Sequence, residues 1–344
     1  MKKIITLASV SLWSLQVNAA ALPEPTEEFL YQLKESLVKV NTTTKSGGHG
    51  FGTAVAIDKD HAVTNCHVLG NSNGVSITKW GTEYPVDSFQ ADWKHDLCIL
   101  KVTYADLKPV VMGDSSLLNY EQPLISISMP TDSPAPYVAL SAIKALYPMD
   151  EELVIRSKAA FSIGASGSPV FDYAGRLVGI STFKSPGKNA YYYNVPVNWI
   201  KKMLNSPEIA LNAPHADPFW DAPEEKRPFF MQIVLPFQNN RWQDVLEIAA
   251  RWAASEPGSA EARYYQGEAA LQQGDETLAM THFQQALRLH PNHPSTLQSM
   301  AQLLQKQGKV NDAEQIRLTL KDINPELLDG IEAATQSVSK QTEE

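Results

Sequence analysis

Gly164-Ala165-Ser166-Gly167-Ser168-Pro169 places one hydroxyl in a turn flanked by glycines. A serine hydroxyl is a poor nucleophile at neutral pH. It needs a neighbouring base to take its proton and backbone donors to hold the oxyanion that forms. Glycine on either side of Ser166 lets the chain turn sharply, so that the N–H groups of Gly164 and Ser166 face one point with no Cβ in the way. Upstream, Thr64-Asn65-Cys66-His67-Val68 offers the base, and His95-Asp96-Leu97-Cys98-Ile99-Leu100 offers the carboxylate that orients it. The candidate catalytic residues are therefore His67, Asp96 and Ser166, in that chain order, with Gly164 and Ser166 as the oxyanion hole.

Each motif alone says little. A lone Gly-x-Ser-Gly is a common turn, a lone histidine is more often structural, and a lone aspartate is more often a cap or a solvated acid. Two further stretches keep the order: Gly50-Phe51-Gly52-Thr53-Ala54-Val55-Ala56-Ile57 before the histidine and Gly175-Arg176-Leu177-Val178-Gly179-Ile180 after the serine. The five together resemble the trypsin-like (chymotrypsin-fold) serine peptidases, and among them the bacterial HtrA-type branch, over roughly residues 35 to 205. The resemblance implies two packed antiparallel barrels, His67 and Asp96 on the first and Ser166 on the second. It implies acyl transfer without a metal or other cofactor. It also points to Ala160 to Ile163, Thr182, Phe183, Lys184 and Ala190 as the lining of the substrate pocket. No acidic side chain stands among these, which speaks against a preference for Lys or Arg. Ala190 adds a methyl that narrows the pocket, so small or medium uncharged side chains are expected, and Lys184 at the rim leaves an acidic preference open. The digestive branch has an aspartate before its nucleophile that pairs with a newly cut N-terminus. Ala165 cannot, so that form of activation is not expected here.

The sequence of 344 residues exceeds one ordinary domain and suggests two. Hydrophobic residues make up 43% and charged residues 19%, enough apolar surface to bury cores. A formal net charge of −9 argues against a nucleic-acid or anionic-membrane surface, which needs a basic footprint. Residues 1–21 read as a secretory signal peptide: Lys2 and Lys3, an apolar run, then Val17, Ala19, Ala20 and Ala21. No later stretch supplies about 20 consecutive apolar residues, so the expectation is an exported protein, periplasmic or secreted. The two cysteines, Cys66 and Cys98, each stand beside a triad member. A disulfide and two free thiols both remain open. A metal site from Cys66, His67, His95 and Cys98 has suitable ligand types, but adjacent strand residues point to opposite faces.

Thr26 is a candidate N-cap for a helix to about Leu37 with Phe29, Leu30, Leu33 and Leu37 on one face. Short β-branched runs follow in two sets of about six: 37–41, 53–57, 62–64, 75–78 and 97–102, then 124–128, 138–143, 153–156, 169–171, 177–181 and 190–195. Val197-Asn198-Trp199-Ile200 resembles the start of a closing helix. The peptidase domain is thus expected at 22–205, and a Pro-rich linker at 206–227 in which Phe219-Trp220 is the apolar exception. Beyond it Pro257, Pro291 and Pro325 recur at the tetratricopeptide interval of 34 residues. The middle unit, 260–293, has Gly267, Gly274, Ala279, Phe283, Ala286 and Pro291 at the packing offsets. The third keeps Ala301, Gly308, Ala313 and Pro325 but has Arg317 where an aromatic is usual. The first keeps Pro257, with Asn240 able to take the turn made by Gly274 and Gly308. Such hairpins, expected over 228–327 before a polar tail at 328–344, form an all-α domain whose concave surface suits a protein partner. The rival reading from another class is an inactive peptidase-fold adaptor acting through its repeats. A second chemical alternative is an esterase using the same triad.

Overall fold

The computed structural model describes residues 23–131, 135–161, 164–187, 189–209 and 216–328. The proposed signal peptide, Ser162 and Ile163 of the expected pocket lining, and the polar tail from 329 onward lie outside these. Thr26 caps helix α1 (Glu27–Lys34), its hydroxyl accepting the Phe29 N–H at 3.2 Å. The helix stops before Leu37 because that residue and Val38 are taken into β1 (Leu37–Thr44), where they stand opposite Val55 and Ala54.

The first sheet orders as β5-β4-β1-β2-β3-β7-β6, with β2 (His49–Ala56), β3 (His61–Thr64), β4 (Ser72–Lys79), β5 (Thr82–Pro85), β6 (Ser88–Asp92) and β7 (Leu97–Lys101). Its ladder leaves β5 and β6 as edges. These two have no counterpart among the expected strands. Strand residues alternate between faces, and in β7 the alternation divides two cores. Cys98 and Leu100 join Val38, Val40, Ala54, Ala62 and Ile77 in a cluster inside the first sheet. Leu97 and Ile99 turn the other way and join Val55, Val63, Leu30 and Leu33 in a larger cluster that runs into the second barrel. A continuous apolar run such as Leu97-Cys98-Ile99-Leu100 is what burial on both faces demands.

The second sheet orders as β12-β9-β10-β11-β14-β13, closes through β12–β13, and adds β8 (Val111–Met112) parallel to β13. The strands are β9 (Pro123–Ser128), β10 (Tyr137–Met149), β11 (Glu152–Ser157), β12 (Ser168–Asp172), β13 (Arg176–Lys184) and β14 (Tyr192–Pro196). Helix α2 (Val197–Met203) then buries Trp199 and Ile200.

The helical region begins with two short helices, α3 (Phe229–Gln232) and α4 (Val234–Gln238), followed by α5 (Trp242–Ser255), α6 (Ala260–Gln272), α7 (Glu276–Leu289), α8 (Pro294–Lys306) and α9 (Val310–Ile323). The turns before α5, α7 and α9 each hold one left-handed residue: Asn240 at φ 57°, Gly274 at φ 88° and Gly308 at φ 75°. A Cβ on Gly267 would lie 2.4 Å from the buried Phe283 ring, so glycine there sets how closely α6 and α7 approach.

The array does not hang free. Phe230 stacks on Tyr147 of β10 at 4.4 Å and 12°, and Trp252 and Tyr265 join the same cluster. The Tyr120 hydroxyl donates to Glu261 Oε1 of α6 at 3.0 Å. The Glu261 carboxylate lies 3.2 Å from His293 Nε2, at ion-pair distance but without hydrogen-bond alignment. Burial, the largest single influence, opposes the charge on Glu261, but His293, Arg156 and the Tyr120 hydroxyl together outweigh it and hold its pKa below the ordinary glutamate value. Burial pushes the phenols of Tyr147 and Tyr265 upward, which keeps them neutral in the interface.

Candidate active site

His67 sits on a 3-10 turn, Cys66–Val68, directly after β3, and not on a strand. The face-alternation argument about Cys66 and His67 therefore does not apply. Cys66 and Cys98 are joined in a disulfide with Cα atoms 5.0 Å apart. Asp96 ends the turn into β7 with φ 59°, and its main-chain oxygen accepts the Asn65 side-chain N–H at 2.9 Å. These bonds lace together the two segments that carry His67 and Asp96.

The Asp96 side chain is 1% exposed. A buried carboxylate is costly unless donors surround it, and three N–H groups do. His67 N donates to Oδ1 at 2.8 Å, while the imidazole Nδ1 and the indole Nε1 of Trp220 approach Oδ2 at 2.6 Å and 2.9 Å. A carboxylate only accepts, so Nδ1 carries the imidazole proton and Nε2 is left with its lone pair. That lone pair faces Ser166 Oγ at 2.9 Å. The structure brings His67, Asp96 and Ser166 into one hydrogen-bonded line across the seam of the two sheets.

Thr53 of β2 fixes the serine turn from the opposite barrel. Its hydroxyl donates to Gly164 O at 2.9 Å and its N–H to Ser166 O at 2.8 Å. Gly164 and Gly167 are both left-handed, at φ 91° and 85°. A Cβ on Gly167 would come within 2.0 Å of Thr53 O, so no other residue allows this approach. Gly167 N–H goes to Ser181 O and Ser168 N–H to Ala165 O, each at 3.0 Å. Among the described residues no hydrogen bond takes the N–H of Gly164 or Ser166. Ala165 is fully buried.

The expected pocket lining needs correction. The Thr182 hydroxyl is buried, donating to Ile180 O and accepting from Asn65 Nδ2. The Phe183 ring is closed between Tyr193 at 4.6 Å and Trp220 at 5.9 Å. Neither lines open space, because one is used to fix Asn65 and the other to seat Trp220. Lys184 and Ala160 are exposed and Ala190 is half-buried. The cavity that contains Ser166 measures about 370 Å³ and opens toward the first sheet, against Thr42, Thr44, Gly50, Phe51, Val68 and Asn71. Trp220, Thr53 and Asn65 were missed as site residues. The signal for Trp220 was present: an aromatic pair inside a Pro-rich segment has no reason to be there unless it is buried.

Residues 52–180 match the family model described as the trypsin-like peptidase domain. They form a trypsin-like peptidase domain. Residues 238–317 match the model described as anaphase-promoting complex, cyclosome, subunit 3, and fall on the tetratricopeptide-like hairpins. A probable periplasmic serine endoprotease DegP-like of Halomonas elongata is 27% identical over 161 residues, 45% of this chain and 33% of that one. Its counterpart from Chlamydia pneumoniae is 29% identical over 147 residues, 41% and 30% of the two chains. The chain therefore spans about a third of the length of these relatives. A solved structure described as HtrA-type protease AlgW with tripeptide aligns at TM-score 0.47 and 21% identity, over 52% of this chain and 61% of that one.

Proposed function

We propose that this chain is an exported serine endopeptidase that cleaves peptide bonds through an acyl-enzyme on Ser166. The observation that carries the reading is the pair of contacts from one imidazole, 2.6 Å to Asp96 Oδ2 and 2.9 Å to Ser166 Oγ. Ser166 Oγ attacks the scissile carbonyl carbon while His67 Nε2 takes its proton. The N–H groups of Gly164 and Ser166 receive the oxyanion. His67 then returns the proton to the leaving amine, and water repeats the cycle on the acyl-enzyme. Asp96 holds the imidazole tautomer and stabilises its charged form without itself taking the proton. Losing one oxyanion donor costs about 10²–10³ in rate.

The reading of export rests on the N-terminal lysine and apolar pattern and on the periplasmic relatives. The cavity beside Ser166 has threonine, asparagine, glycine and apolar walls, which favours uncharged peptide segments. The repeats are read as recruiting a protein substrate or partner through the surface not used against the second barrel. Cleavage of an unfolded protein and of a chromogenic peptide by the full chain, lost in Ser166→Ala and His67→Ala, tests the reading. Hydrolysis of esters but of no peptide supports the esterase instead, and no hydrolysis by a folded chain supports the adaptor.

A further inference from the structure

We propose that Trp220, on the segment between the barrels and the helices, is a positioning residue of the triad: its indole N–H steadies the Asp96 carboxylate and its ring walls the His67 imidazole. The proposal rests on the peptidase reading of Ser166. Trp220 Nε1 donates at 2.9 Å to Asp96 Oδ2, the same oxygen that receives His67 Nδ1 at 2.6 Å. The indole edge meets the imidazole at 5.4 Å and 86°, and its face lies nearly parallel to Phe183 at 14°.

The segment that carries Trp220 is fastened where it matters. Phe219 N–H donates to Lys94 O at 3.0 Å, two residues from Asp96. The Phe219 ring is buried against Phe183 and Trp199, and Asp221 N–H returns to Pro218 O at 2.9 Å to close a turn. Two donors on Oδ2 from different directions fix the plane of the carboxylate, and therefore the line from Asp96 through His67 to Ser166. They also divide its charge. With the indole donor gone, one anchor of the carboxylate plane is lost and the base is poorly aimed. A tryptophan that only filled space would have no need to point its N–H at the oxygen the base uses.

In the full-length chain with nitrogen-15 tryptophan, the indole N–H resonance lost in Trp220→Phe is that of Trp220. Asp96→Asn replaces the charged acceptor with an amide of the same shape, and should move that resonance while the other indoles keep their positions. Trp220→Phe keeps an aromatic ring without the N–H, and should slow fluorophosphonate modification of Ser166 about tenfold. For a short peptide substrate the loss should fall on kcat more than on KM. An unmoved Trp220 resonance in Asp96→Asn overturns the proposal, as does a Trp220→Phe chain with the wild-type modification rate and the wild-type kcat. A wild-type chain that is not modified at all overturns the peptidase reading, while the resonance still reports the hydrogen bond by itself.

Discussion

Inside the first sheet, one apolar cluster running from Val38 to Leu107 closes on itself and on partners such as Val68 and Trp93, while Val55, Val63, Leu97 and Ile99 face the larger cluster shared with the second barrel. The second barrel divides its apolar residues differently. Leu124, Ile143, Val170 and Val178 form an inner cluster, but Tyr147, Phe183 and Tyr193 continue outward to Phe230, Trp252 and Tyr265 of the helices. The proposed base and acid thus come from a unit with its own core and a disulfide, and the proposed nucleophile from a unit whose outer layer is supplied by the repeats. The pattern Pro-rich segment, then repeats, suggests two bodies on a tether. The packing makes the helices part of the wall behind the serine barrel.

Trp252→Ala should therefore do more than loosen a repeat. Removing that buried ring costs about 3–5 kcal/mol, and fluorescence unfolding and loss of Ser166 reactivity should occur in one transition. Separate transitions would break the shared core. Cys66→Ala with Cys98→Ala sharpens the other side of the comparison. The bridge closes a loop with a sequence separation of 32 residues, worth about 3–4 kcal/mol in the loop-entropy view. Proteolysis and hydrogen exchange should show that loss in residues 37–101 before the helices respond.

The smallest effect concerns two glutamates on α6. Glu261, beside His293, has its pKa held down despite burial. Glu268 is raised, because burial dominates and the Ser299 hydroxyl answers it only in part. A lowered carboxyl lends stability above its unfolded value and loses it as pH falls through the folded one. A raised carboxyl stabilises at low pH and stops doing so as pH rises through its folded value. Glu268→Gln should then raise Tm by a few degrees near pH 7 and give no gain near pH 4. Glu261→Gln should lower Tm near pH 7, with the deficit shrinking in acid.

The triad was legible because its chemistry leaves short motifs: His67, Asp96 and Ser166 each stand in a distinctive local sequence. The hairpin turns were legible because Gly274, Gly308 and Asn240 are residues that adopt positive φ without much cost. The edge strands β5 and β6 were not, since Thr82 to Pro85 is mostly exposed and Ser88 to Asp92 offers only Phe89 and Ala91 as inward positions. Thr182 and Phe183 misled because the family's pocket positions were carried over without the chain's own Trp220, which fills the space in front of Phe183. What long-range packing decides, a local pattern cannot display. Phe219-Trp220 shows the limit well: the pair announces burial but not where.

The central claim is that the imidazole held by Asp96 makes Ser166 a nucleophile. Full-length protein treated with a fluorophosphonate, digested and sequenced by mass spectrometry should carry the label on Ser166. Ser166→Ala and His67→Ala should abolish it, the latter by a factor of about 10⁴–10⁶ in rate. Label on another residue, or a folded chain that takes none, would contradict the claim.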